Sequence, residues 1–391
     1  MMRSTAAMPA NLVRQLVRAI LVLLAISSAA AQQPTVPVPD PPELGAESYI
    51  LRDHHSGRII AARQPDERRD PASLTKLMTA YVVFNELDSG NVTMDDKVRI
   101  SEKAWRAKGS RMFVEVGDQI SVKNLLKGMI IQSGNDASIA LAEHIAGAES
   151  AFAQVMNQYA GQLGMANTQY RNATGLPAEG HYSTARDTAI LARALISNFP
   201  DHYQYYSQRT FNWAGIEQSN RNKLLWRDNG VDGLKTGYTE SAGYCLASSA
   251  VRDGMRLTSV VMGTDSKQAR LNQSQSLLSY GFGFFSTHRL YQANKPLARA
   301  TVWKGAAEDA PMGVQRDVYV TVPQRQYEDL EASVSVDRLI TAPVTKGKTY
   351  GQVSIKLQGE TLVERPLVAL ESVEAGGLWT RMVDSVWLWF E

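Results

Sequence analysis

The stretch Pro71-Ala72-Ser73-Leu74-Thr75-Lys76-Leu77-Met78-Thr79 decides how the rest of the chain is read. Leu74, Leu77, Met78, Tyr81 and Phe84 recur at helical spacing, so a helix is expected to begin near Ala72 with this face buried. At a helix start, residues i and i+3 share a face, which lets the Ser73 hydroxyl meet the Lys76 amine. A serine hydroxyl is a weak nucleophile and needs an adjacent base. A lysine can be that base if burial and neighbouring positive charge favour its neutral form. The helix N-terminus also offers backbone N–H groups where an oxyanion would develop. Alone, S-x-x-K describes many helix starts that carry only a solvated lysine.

Two further short elements lie downstream. Ser133-Gly134-Asn135 follows the apolar Met129-Ile130-Ile131. Its serine can relay a proton to a leaving amine, and its asparagine can donate to a substrate amide carbonyl and hold the lysine. Lys235-Thr236-Gly237 comes later. Its lysine and threonine can bind a carboxylate, by charge and by hydroxyl, and its glycine lets backbone approach a ligand closely.

Composition narrows the field. The chain has 391 residues, 44% of them hydrophobic and 20% charged, which is ample for two globular domains. A formal net charge of +2 is not the footprint of a nucleic-acid binder. The single cysteine excludes an intrachain disulfide and a cysteine-based zinc site. Six histidines without an HExxH pair argue against a metalloenzyme, so neither metal nor cofactor is expected.

The charge is unevenly placed. Residues 1–31 hold Arg3, Arg14 and Arg18 and no acidic residue, then the apolar run Ala19–Ile26 and the trio Ala29-Ala30-Ala31. This is the pattern of a secretory signal peptide, cut after Ala31. A membrane span needs about 20 apolar residues, more than this run supplies. Removing the three arginines takes the formal charge from +2 to −1. The lone Cys245 then works unpaired in an extracytoplasmic compartment. It reads either as a small buried residue or, less simply, as a reactive thiol.

Gln32–Glu43 carries five prolines and reads as a tether. Ser48–Leu51 and Arg58–Ala62 predict a hairpin, and Tyr244–Val251 and Leu257–Thr264 predict another around Asp253-Gly254. Helices are expected at Val122–Ile131, Ala137–Ala146, Ala151–Gly161 and Thr184–Ile196. Together these predict an α/β (α+β) domain over residues 44–286. Short strands at Arg299–Trp303, Val318–Val322, Ala332–Val336, Gly351–Leu357 and Thr361–Leu370 predict a small all-β domain over 287–375. In 378–391, Trp379, Met382, Val383, Val386, Trp387 and Phe390 share one face. That stretch is either an in-plane membrane anchor or a helix packed on the β domain. Three tryptophans favour the anchor, whereas Arg381 as its one basic residue weakens the electrostatic side.

S-x-x-K, S-x-N and K-T-G in this order form the signature of β-lactamases and penicillin-binding proteins. The chain resembles the low-molecular-mass penicillin-binding proteins of the serine D-alanyl-D-alanine carboxypeptidase type. Gln132-Ser133-Gly134-Asn135-Asp136-Ala137, Thr174-Gly175-Leu176-Pro177, Val231-Asp232-Gly233-Leu234-Lys235-Thr236-Gly237 and Val260-Val261-Met262-Gly263 also match. The resemblance implies a β-lactamase/transpeptidase-like catalytic domain, with an antiparallel sheet flanked by helices. It implies a peptidoglycan stem peptide ending in D-Ala-D-Ala as substrate and β-lactams as covalent inhibitors. Ser73 would be the acyl-ester nucleophile, Lys76 the proton acceptor and Ser133 the proton relay, with Asn135 beside them. Lys235, Thr236, Gly237 and Tyr238 would bind substrate, the backbone N–H groups of Ser73 and Tyr238 forming the oxyanion hole. Arg221 and Arg270 would lie near the carboxylate. Tyr238 stands where close relatives often have histidine. The alternatives are a D,D-endopeptidase, a β-lactamase-like hydrolase, or a non-catalytic β-lactam sensor or wall-shape scaffold. The segment Asn172–Glu179 lacks the β-lactamase E-x-x-L-N pattern.

Overall fold

The computed structural model describes residues 38–388. The expected signal segment, the first part of the tether and the last three residues lie outside them.

The central sheet has five strands: β1 (Ser48–Asp53), β2 (Ile59–Arg63), β3 (Val231–Thr239), β4 (Gly243–Arg252) and β5 (Met255–Thr264). Their order is β2-β1-β5-β4-β3, all antiparallel. Both expected hairpins are present, and Asp253-Gly254 makes the turn between β4 and β5 with positive φ at both residues. Strand alternation sends side chains to two faces. Ile50, Val260 and Ala247 lie in register across three strands and belong to the main core with the helices. Leu51 and Leu257 point the other way, where Gly281 lets a helix approach them closely.

Five helices organise this part: α1 (Lys76–Asp88), α2 (Asn135–Ala146), α3 (Glu149–Gln162), α4 (Ala185–Asn198) and α5 (Lys267–Phe284). The 74/77/78/81/84 face of α1 is buried as its spacing predicts. The helix does not begin as a regular α-helix. Ala72–Thr75 form a 3-10 turn that leads into α1 at Lys76, and Ala72 has φ +46°. The expected Val122–Ile131 helix is likewise split into a short α-helix, Val122–Lys127, and a π turn, Gly128–Gln132. Both irregularities sit next to the sequence motifs.

Strand β3 and helix α5 were not expected from the pattern. Two glycines and two charges break alternation in Val231–Gly237, and α5 mixes glutamines, serines and glycines around a narrow buried strip of Ser274, Leu277, Leu278 and Gly281.

From the end of α5 to Ala369 the regular elements are strands: β6 (Phe285–Tyr291), β7 (Pro296–Trp303), β8 (Asp309–Gly313), β9 (Val318–Pro323), β10 (Leu330–Val336), β11 (Ile340–Thr341), β12 (Thr349–Leu357) and β13 (Glu360–Ala369). A six-stranded sheet runs β10-β12-β13-β8-β7-β11, and β6 pairs with β9. This set has its own core, with Met312, Val320, Val353, Ile355 and Leu367 at its centre. Polar contacts join it to the β1–β2 hairpin. Thr287 Oγ1 donates to Asp53 Oδ2 at 2.7 Å, and Arg58 Nη1 donates to Thr321 O at 2.6 Å.

The final helix, α6 (Leu378–Trp387), has no buried residue. Trp379 is 74% exposed and Trp387 63%, so its apolar face is not packed on the β strands. It is tied by Asp384, which accepts from the Lys304 amide. Among the described residues, no helix is long and apolar enough to cross a membrane.

Candidate active site

The three motifs, far apart in sequence, converge at the edge strand β3. Ser73 sits in the 3-10 turn, half-buried, and Lys76 opens α1 with only 1% of its surface exposed. The Lys76 Nζ lies 3.0 Å from Ser73 Oγ, 2.6 Å from Asn135 Oδ1 and 2.5 Å from the carbonyl oxygen of Thr174. A neutral amine has two N–H bonds. The carbonyls of Asn135 and Thr174 accept both, so in the neutral form the lone pair faces the Ser73 hydroxyl, whereas the ammonium form donates its third N–H there. Burial pushes the Lys76 amine down to about 7, against the opposing pull of Asp136 and with help from the Arg221 cation.

Each acceptor is held by its own supports. Asn135 begins α2, and its amide nitrogen donates to Lys108 O at 2.6 Å, which fixes the side-chain oxygen toward Lys76. The neighbouring Asp136 is buried and accepts from the Met112 and Phe113 amides, binding the 108–114 loop to the same helix start. The Thr174 carbonyl belongs to a loop pinned at both ends. Thr79 Oγ1 donates to Ala173 O at 2.7 Å, Glu149 accepts from the Ala173 amide, and Asn172 Oδ1 accepts from the amides of Thr174 and Gly175. Gly175 has φ +82°, and a Cβ there would stand 1.8 Å from the Ala72 carbonyl oxygen. Only glycine permits this loop to close on the Ser73 turn. His181 adds a further brace: its Nδ1 accepts from the Arg171 amide, so its Nε2 carries the proton toward Thr75 Oγ1, 2.9 Å away.

Ser133 ends the π turn in the left-handed conformation, φ +66° and ψ +34°. That backbone is unusual for a residue with a Cβ and turns the hydroxyl toward β3. Lys235 Nζ donates to Ser133 Oγ at 2.8 Å and to Thr236 O at 3.0 Å. Lys235 is buried, and burial first, then the Lys76, Arg221 and Arg270 cations, holds its amine well below the ordinary range. Gly237 passes directly over the Ser73 turn. A Cβ there would lie 3.1 Å from Pro71 O and 3.3 Å from Ser73 N. The amide of Tyr238 follows at once, and its ring is half exposed at the rim.

The two arginines flank this strand. Arg221 Nε donates to Gln132 O at 2.8 Å, next to Ser133. Arg270, from α5, donates through Nη1 to Gly237 O at 3.1 Å. Both line a cleft with Thr236, Lys223 and Lys267. Cys245 is fully buried, its thiol pushed up to about 11 by desolvation, as suits the small-residue reading rather than a reactive thiol. Sequence motifs did not point to Thr174, Glu149, Asn172 or His181 as supports. For Asn172, Thr174 and His181 the available signal was their closeness to the Thr174-Gly175-Leu176-Pro177 segment; Glu149, 25 residues before Thr174, carried none. Among the described residues, no group of three or more His, Cys, Asp or Glu side chains could hold a metal.

Residues 34–266 match the family model of D-alanyl-D-alanine carboxypeptidases, more than half of the chain. The chain belongs to this family. Residues 285–375 match the penicillin-binding protein 5 C-terminal domain. D-alanyl-D-alanine carboxypeptidase DacA of Escherichia coli K12 is 41% identical over 361 residues, 90% of each chain. DacC of the same organism is 42% identical over 380 residues, 95% of this chain and 94% of the relative. Penicillin-binding protein 5 from Haemophilus influenzae has a solved structure with 39% identity and a TM-score of 0.83, covering 86% of this chain and 99% of that one.

The closeness of the 175 loop to the Ser73 turn gives a direct test. Gly175→Ala should destabilise the protein by roughly 3 kcal/mol or more, from left-handed strain and the clash with Ala72. A denaturant melt at wild-type midpoint would contradict this packing.

Proposed function

We propose that the chain is a serine D,D-carboxypeptidase that removes the terminal D-alanine from peptidoglycan stem peptides through a Ser73 acyl-enzyme. The observation that carries this reading is the seat of Lys76: a buried amine whose two N–H bonds have carbonyl acceptors and whose nitrogen stands 3.0 Å from Ser73 Oγ.

In this reading Ser73 Oγ attacks the carbonyl of the penultimate D-alanine while Lys76 takes its proton. The oxyanion that forms is met by the backbone N–H groups of Ser73 and Tyr238. The C–N bond then breaks. Ser133, hydrogen-bonded to Lys235, relays the proton held by Lys76 to the departing amine of D-alanine, so that Lys76 is neutral again and Ser133 keeps its hydroxyl. Thr236 and Lys235, with Arg221 and Arg270 nearby, receive the terminal carboxylate. Water hydrolyses the ester and frees Ser73. A β-lactam carries an acyl group in the same position and acylates Ser73. The solved ampicillin-bound form of penicillin-binding protein D2 from Listeria monocytogenes, 31% identical, supports β-lactam binding. The intact Ser73, Lys76, Ser133 and Lys235 speak against a scaffold that has lost its chemistry.

The same reading assigns residues 44–286 to the catalytic domain and 287–375 to the β domain. Residues 1–31 direct export. The exposed apolar face of α6 then lies in the outer surface of the cytoplasmic membrane, its two described tryptophans at the interface.

Three outcomes are expected. Purified protein releases D-alanine from a D-Ala-D-Ala pentapeptide and is labelled by a fluorescent penicillin, and Ser73→Ala does neither; labelling of Ser73→Ala at the wild-type level would remove Ser73 from its role. Because Lys76 acts as a base only when neutral, the rate of acylation rises with pH through an apparent pKa near 7 and then levels. A rate that is flat between pH 5 and pH 9 would show that this amine does not take the proton. Deleting 378–391 moves the protein from the membrane to the soluble fraction, and an unchanged distribution would sink the anchor.

A further inference from the structure

Gly237 creates a mechanical problem. It must lack a side chain, because a Cβ would press on Pro71 O, Ala72 Cβ and Ser73 N at 3.1, 3.2 and 3.3 Å. Glycine is also the residue whose backbone turns most freely. It stands on an edge strand, paired with another strand on one side only. The peptide group that joins it to Tyr238 carries the N–H that the proposed chemistry needs as an oxyanion donor. A donor held loosely stabilises little, because oxyanion stabilisation depends on dipoles fixed before the charge appears.

The structure holds both ends of that peptide group. On the carbonyl side, Arg270 Nη1 donates to Gly237 O at 3.1 Å. On the amide side, the Tyr238 ring stacks on the Tyr244 ring with centroids 4.2 Å apart and planes 28° from parallel. Tyr244 joins the two holds, because the Arg270 guanidinium also lies 5.7 Å from its ring centroid. Arg270 is not engaged in any ion pair with a carboxylate among the described residues. A cation donating to the carbonyl of an amide polarises it and strengthens its N–H as a donor.

We propose that Arg270 and Tyr244 are positioning residues that clamp the Gly237–Tyr238 peptide group and aim its N–H at the developing oxyanion. This rests on the acyl-enzyme reading above and adds to it. It is separate from any contact of Arg270 with the substrate carboxylate, since a guanidinium has five N–H donors and one is enough for Gly237. Tyr238 enters through its stacking on Tyr244, so its ring is part of the clamp as well as of the rim.

The two roles of Arg270 separate with an acyl donor that has no carboxylate on its leaving group, such as an N-acyl-D-alanyl methyl ester. Acylation is followed by quenched-flow mass spectrometry beside the pentapeptide. The clamp predicts that Arg270→Ala is acylated roughly tenfold more slowly by both donors, a share of the effect of losing one oxyanion donor. Tyr244→Leu, which keeps the guanidinium, loses a similar factor in kcat with KM unchanged, and Tyr244→Phe stays near wild type because the ring remains. Wild-type acylation of Arg270→Ala by the methyl ester would overturn the clamp and leave only carboxylate binding. An equal fall for Tyr244→Phe and Tyr244→Leu would overturn it too. Should Arg270→Ala lose its cooperative melt, the Tyr244 pair decides alone. Acylation of Ser73→Ala by either donor would instead defeat the underlying reading.

Discussion

Everything in the site depends on burying an amine. A lysine taken from water pays a desolvation penalty that falls on its charged form, so the protein lowers its proton affinity instead. Lys76 is nearly inaccessible, and its amine is pushed down to about 7. What makes this more than an isolated buried lysine is that two carbonyl acceptors saturate its N–H bonds. In the neutral form the lone pair has one direction left, toward Ser73. Nothing of this needs an unusual residue; the site needs the Ser73, Ser133 and Lys235 segments, with the Thr174 loop, delivered to one point.

The fold delivers them by breaking its own regularity. The Ser73 segment is a 3-10 turn before α1, the Ser133 segment is a left-handed residue after a π turn, and the Lys235 segment is the edge of the sheet. The Ser133 turn and the Thr174 loop are braced by buried and half-buried polar groups. Asp136 binds the loop ahead of Ser133, and Asn172, Glu149 and Thr79 bind the Thr174 loop. Such over-determined surroundings are what let strained backbone persist at a site. The β strands beyond α5 form a separate core and contribute no side chain to the Lys76 seat.

Much of this was legible in sequence, for reasons that can be named. The face of α1 and the β4–β5 hairpin carry strong periodic signals, and the three motifs carry chemistry-bearing residues at fixed spacing. Both alternatives for the last helix were written in its one-sided apolar pattern, and the exposure of Trp379 decides against packing on the strands. Strand β3 was hidden because Gly233 and Gly237, which its close packing on Tyr203 and on the Ser73 turn requires, erase the alternation that marks a strand. Helix α5 was hidden because little of it is buried. The supports of Thr174 were hidden for another reason: a backbone carbonyl as acceptor has no residue identity to read.

The proposed reaction places the acyl group of a D-Ala-D-Ala peptide on Ser73, with Lys76 in its neutral form taking the proton. Its most direct measurement is to mix protein and pentapeptide, quench in acid within the first turnover, and map the adduct by peptide mass spectrometry. The expected adduct has the mass of the peptide less its terminal D-alanine and sits on the fragment containing Ser73. D-alanine release with no adduct on that fragment, or with the adduct on another residue, would contradict it.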